Sequence, residues 1–74
     1  MMKTTIKLET INNVKDFVNA VSKYDFDIDL ISGRYSIDAK SIMGIFSLDL
    51  SKSIEVQAHS DDASFLSDME KFKA

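Results

Sequence analysis

Asp25-Phe26-Asp27-Ile28-Asp29-Leu30-Ile31-Ser32-Gly33-Arg34-Tyr35-Ser36-Ile37-Asp38-Ala39 is the stretch on which the fold turns. Phe26, Ile28 and Leu30 alternate with Asp25, Asp27 and Asp29, and after Ser32-Gly33 the pattern resumes with Tyr35, Ile37 and Ala39. In extended chain, successive side chains point to opposite faces, so each run reads as a strand with one apolar and one polar side. A glycine at the break suits a tight turn, and the two strands form an antiparallel hairpin. The same alternation answers a metal reading. Asp25, Asp27 and Asp29 imitate the start of a calcium loop, but Leu30 stands at the turn-glycine place and no glutamate closes the run. The aspartates are the solvent face of a strand.

Towards the C-terminus the alternation breaks. Between Ser41 and Leu48, residues Ile42, Ile45 and Phe46 fall at helical spacing, and Ser41 is suited to cap a short helix. Ile54, Val56 and Ala58 make a fourth strand. Ser60, Asp61 and Asp62 supply capping and acidic residues before Phe65, Leu66, Met69 and Phe72, which trace one buried face of a closing helix. His59, the only histidine, lies just after the fourth strand. With no second ligand type beside it and no positioned nucleophile, it reads as a surface-loop residue.

Towards the N-terminus, Val14, Phe17, Val18 and Val21 recur at i, i+3, i+4 and i+7, with Asn12 or Asn13 as the N-cap and an end near Tyr24. Before that helix, Ile6 and Leu8 alternate with Lys7 and Glu9 as a first strand. The order is strand, helix, strand, strand, short helix, strand, helix. Strands with one apolar face are most economically buried as a four-stranded antiparallel sheet covered on one side by two longer helices and one short one. The expected class is α+β, an open-faced β-sandwich, with residues 1–74 forming a single domain.

Composition agrees with that reading. At 74 residues, 45% hydrophobic and 28% charged, the chain fits one small globular domain. A domain of this size buries only about 60% of its unfolded surface, which disfavours a large enclosed pocket. It has no cysteine, so packing alone must hold it together, as suits a reducing cytoplasm. Met1 to Leu8 contains no apolar block of signal-peptide length. Ile42 to Leu50, interrupted by Ser47 and Asp49, is far short of the roughly 20 residues that cross a bilayer. A net charge of −3 with scattered basic residues argues against direct nucleic-acid binding. No residue pattern asks for a cofactor, a metal or a catalytic constellation.

Ser22-Lys23-Tyr24-Asp25, the Gly33 turn, the run Lys40-Ser41-Ile42-Met43-Gly44 and then Ser47-Leu48 resemble the HPr family of the bacterial sugar phosphotransferase system, including its Crh-like members from low-GC Gram-positive bacteria. The resemblance runs without a gap from Phe17 to Leu50, and Lys40 to Gly44 is its most specific piece. It implies the HPr-like open-faced fold. In that family a histidine in a G-x-H-x-R-P loop, between the first strand and first helix, carries phosphate from enzyme I. Here Glu9-Thr10-Ile11-Asn12-Asn13 replaces a longer loop, with Thr10 at the histidine position and Asn12 at the arginine position. A threonine hydroxyl would form a stable ester where the imidazole forms a transferable phosphoramidate. Without the arginine, a donor that holds the phosphoryl group is also missing.

The resemblance leaves Ser41. In low-GC Gram-positive relatives the corresponding serine is phosphorylated by HPr kinase/phosphorylase, and the product joins a catabolite control regulator as corepressor. A helix N-terminus favours added negative charge, and Met43, with Ile42, offers apolar surface beside it. The expectation is therefore a cytoplasmic, non-enzymatic regulatory module set at Ser41. It would be a monomer or, as in Crh-type relatives, a strand-exchanged dimer. Two alternatives stand: a phosphocarrier with an unrecognised acceptor, and a diverged interaction domain that uses the Ile42 and Met43 surface.

Overall fold

The computed structural model describes all residues from Met1 to Ala74. The elements are β1 (Met2–Ile6), α1 (Ile11–Ser22), β2 (Ile28–Ser32), β3 (Tyr35–Asp38), α2 (Ile42–Phe46), β4 (Ile54–Ala58) and α3 (Ala63–Met69), the last tightening into a 3-10 turn over Glu70–Phe72. The sheet order is β1-β4-β2-β3, and every neighbouring pair is antiparallel. Ile28 and Leu30 of β2 and Ile54, Val56 and Ala58 of β4 share one core with Val14, Phe17 and Val21 of α1, Ile45 of α2, and Phe65 and Met69 of α3. All three helices therefore lie on one face of the sheet, in the expected α+β open-faced arrangement.

The hairpin closes through Gly33-Arg34, because Ser32 pairs directly with Tyr35. Gly33 has φ +60 at the first central position, the conformation of a II′ turn, whose twist matches that of the strands it joins. Phe26 falls before β2 and Ala39 after β3, although both continue the alternation. Lys40 explains the first departure. Its ammonium donates to the carbonyls of Tyr24 at 2.6 Å and Phe26 at 3.2 Å, so these groups serve the lysine and not a strand ladder.

Three expectations are corrected. The first strand runs over Met2–Ile6, so Leu8 is buried beyond its end. β4 supplies partners only as far as Ile54, opposite Ile6, and the C-terminus then takes over. Lys7 N–H donates to the Phe72 carbonyl at 2.8 Å, and Ala74 N–H donates to that of Thr5 at 3.2 Å. The cap of α1 is Thr10, not Asn12 or Asn13. Thr10 Oγ1 accepts from Asn13 N–H at 3.0 Å while Asn13 Oδ1 accepts from Glu9 N–H at 3.2 Å, a reciprocal pair that a later start would forfeit. Finally, Leu66 is 40% exposed. It follows Phe65 by about 100° of helical rotation, which turns it off the sheet.

Phe17 is fully buried and meets Phe72 edge-on at 5.5 Å, joining α1 to the C-terminal turn across the core. Removing such a ring typically costs about 3–5 kcal/mol, against a total stability of about 5–15 kcal/mol for a folded domain. Phe17→Ala is expected to lower the urea midpoint by at least about a fifth. A loss below about 1 kcal/mol would show that this ring does not anchor the core.

A polar latch holds α1 to α3. Lys23 Nζ lies 2.7 Å from Asp68 Oδ2, and the Tyr24 hydroxyl donates to the same oxygen. The Lys23 hydrogen bond, then that of Tyr24, holds the Asp68 carboxyl below its ordinary range. The Asp68 hydrogen bond raises Lys23, whereas Tyr24 is raised first by burial and then by Asp68. The Asp68 contribution is present above the unfolded carboxylate pKa and is lost as pH falls through the lowered folded value, below about pH 4. The Lys23 and Tyr24 contributions are present below their unfolded values and are lost as pH rises through the raised folded ones, above about pH 10. Asp68→Asn should flatten both limbs of a plot of urea midpoint against pH, modestly because the latch is partly exposed. Limbs identical to wild type would exclude the latch.

Candidate functional site

The junction between β3 and α2 is built by local chemistry. Asp38 ends the strand, its carboxylate accepting from Lys40 N–H at 2.9 Å and its carbonyl from Ser41 N–H at 3.0 Å. Ala39 turns into the core, and the Lys40 ammonium grips the start of the β2 segment, so Ser41 is held from both sides. Ser41 caps α2: Oγ accepts from Gly44 N–H at 3.2 Å, and its carbonyl accepts from Ile45 N–H at 3.1 Å. A Cβ on Gly44 would stand 3.2 Å from Ser41 Oγ and 3.4 Å from Ile37 Cδ1, so the glycine leaves room beside the hydroxyl. The serine is exposed.

A helix of five residues can bury only one side, and Ile45, with Leu48 beyond the helix, takes it. Ile42 is half-buried and packs on the core, whereas Met43 is 77% exposed. Phe46, three residues on and on the same side as Met43, is also exposed. Spacing alone groups Phe46 with Ile42 and Ile45 as core. The signal that separates it is the competition of Ile45 and Leu48 for one small patch of sheet.

The entrance to α1 is chemically different. The Thr10 hydroxyl is exposed and committed to its cap, and Asn12 is exposed in the first turn. Ile11, which opens the helix, is apolar and exposed. No basic or histidine side chain occurs from Glu9 to Val14. Nor does the fold deliver His59 there. β1 pairs Met2 with Ala58 and Ile6 with Ile54, so His59 follows the strand end opposite the one that leads to Thr10. A strand of five residues separates the two ends by roughly 13–17 Å. His59 Nε2 instead lies 2.9 Å from Asp29 Oδ2. Ser41 follows Asp38, which is level with Asp29, Gln57 and Lys3. The fold brings Ser41, Ile42 and Met43 together at the start of α2.

No helix is long and apolar enough to cross a membrane. The chain matches the family described as "PTS HPr component phosphorylation site" over residues 11–73, a span that opens one residue after Thr10. Among solved structures it is similar to HPr-C-His from Thermoanaerobacter tengcongensis, with a TM-score of 0.77 at 28% identity over 96% of this chain and 92% of that one. It also superposes on the phosphocarrier protein HPr from Bacillus anthracis str. Ames, with a TM-score of 0.76 at 20% identity over 99% of this chain and 96% of that one, a likeness of fold. No curated protein matches.

Proposed function

We propose, on the premise that this chain belongs to the PTS HPr family, that it is a regulatory binding module whose state is set by phosphorylation of Ser41 and not a histidine phosphocarrier. Members of this family are carriers and binding partners, not catalysts. The observation that carries the reading is an exposed capping hydroxyl at Ser41 with solvent-facing Met43 two residues away. A regulatory serine must enter another protein's active site, and a docking contact beside it must be free.

In this reading HPr kinase/phosphorylase transfers the γ-phosphoryl group of ATP. The bond from phosphorus to Ser41 Oγ forms, the bond to the ADP oxygen breaks, and the hydroxyl proton passes to a base of the kinase. The resulting dianion lies beside the free N–H groups of α2, an arrangement that favours charge by roughly 0.3–1 kcal/mol. Lys40 contributes little to holding it, because its ammonium already serves the Tyr24 and Phe26 carbonyls. Most of the new charge is therefore presented outward, towards a partner's cations, with Met43 and the edge of Ile42 as the apolar part of the contact. A catabolite control regulator is the partner this arrangement suits.

Asn12, standing where relatives carry an arginine, leaves the regulator one charged contact fewer. The setting is cytoplasmic, and the protein acts as a monomer or a strand-exchanged dimer. The test is phosphorylation by ATP and HPr kinase/phosphorylase, with Ser41→Ala as its control.

A further inference from the structure

A concavity of about 390 Å³ lies between the β2–β3 turn and the connection from α2 to β4. Arg34 and Tyr35 form one wall, Ser47, Asp49 and Lys52 the other, and Leu48 an apolar part of the lining. We propose that this groove binds a small phosphate monoester with a hydroxylated body, a phosphorylated polyol.

Charge gives the first argument. Lys7, Lys23, Lys40 and Lys73 are engaged by carbonyls or carboxylates. Of the remaining basic residues, Lys3, Lys15 and Lys71 lie outside the groove, whereas Arg34 and Lys52, neither with a hydrogen-bonded or ion-paired partner, are both lining residues of it in a protein of net charge −3. A phosphate dianion bound in the groove would offset both positive charges. Guanidinium and ammonium bonds to phosphate oxygens are among the stronger hydrogen bonds available.

Asp49 sets the rest of the ligand. Its Oδ1 accepts from Ser51 N–H at 3.1 Å and from Ser51 Oγ–H at 2.6 Å, which fixes the carboxylate and leaves Oδ2 without a partner. The Ser51 bonds, with Lys52 and Lys7 nearby, keep that carboxyl ionised. A ligand bearing only negative charge would be repelled by it. A ligand with a phosphate at one end and hydroxyls at the other satisfies both, the hydroxyls donating to Asp49 Oδ2. Ser47 already donates its hydroxyl hydrogen to the Gly44 carbonyl, so its oxygen is left as an acceptor for the same body. The unpartnered hydroxyl and 71% exposed ring of Tyr35 suit a polar, C–H-rich ligand. The volume is near the lower end of small-molecule sites and exceeds what bare phosphate fills.

The test is titration of the folded, ¹⁵N-labelled protein with glycerol 3-phosphate, inorganic phosphate and glycerol at constant ionic strength. Glycerol 3-phosphate should give saturable amide shifts confined to residues 32–35 and 47–52 and bind several-fold more tightly than inorganic phosphate, while glycerol should be silent. Arg34→Gln with Lys52→Gln should weaken binding at least about tenfold, and each single variant several-fold, which keeps the test open should the double variant misfold. Asp49→Ala should abolish the preference for the ester over phosphate. Equal affinity for ester and phosphate, unsaturating shifts spread over Lys3, Lys15 and Lys71, or undiminished binding by the folded variants would overturn the proposal.

Discussion

Enzyme I and phosphoenolpyruvate are expected to leave this protein without an acid-labile phosphoryl group, under conditions that fully label an ordinary HPr. The chemistry requires an imidazole at the entrance of the first helix, with donors around it. The only imidazole, on His59, lies beyond the opposite end of β4 and pairs with Asp29. At the helix entrance Thr10 spends its hydroxyl on the Asn13 N–H, and no cation occurs from Glu9 to Val14. The expected rate is below the control by a factor on the order of 10³ or more, since a nucleophile and its charged support are both missing. Thr10→His alone should not restore transfer. It removes a cap worth about 1 kcal/mol and leaves Asn12 in place of a phosphate-holding cation. Stoichiometric acid-labile label on wild type, lost on changing His59 or any other single residue, would contradict this.

How far the fold was legible depended on whether its causes were local. The hairpin pairing, the Ser41 cap and the stripe of Val14, Phe17 and Val21 follow from neighbours in sequence and stand in the structure, although β2 starts after Phe26, β3 ends before Ala39 and Tyr35, read as part of the apolar face, is exposed. The extent of β1 was not legible, because its last partners are Phe72 and Ala74, brought in by the closing turn. Thr10 won the cap over Asn12 and Asn13 through a reciprocal bond with Asn13, which depends on backbone geometry that residue preference does not encode. Phe46 and Leu66 have apolar side chains at helical spacing yet face outward, since short helices bury too little arc to hide every apolar residue. The groove was invisible for a different reason. Arg34 and Lys52 belong to separate loops, and only the tertiary fold sets them around one space.

The measurement that bears most directly on Ser41 is intact-mass analysis after incubation with ATP and HPr kinase/phosphorylase from a low-GC Gram-positive bacterium, with an ordinary HPr alongside. Ser41 is exposed, its hydroxyl makes a single cap bond at 3.2 Å, and Gly44 leaves space for an approaching phosphoryl donor, so little must be broken for the residue to react. Ser41→Ala loses that cap, a cost of about 0.5–2 kcal/mol, and should remain folded, which its amide spectrum can verify. One acid-stable phosphate is expected on wild type and none on folded Ser41→Ala. Wild type left unmodified while the control HPr is phosphorylated, or a phosphate that persists in Ser41→Ala, would contradict it and leave the Met43 and Ile42 surface as a docking site independent of phosphorylation.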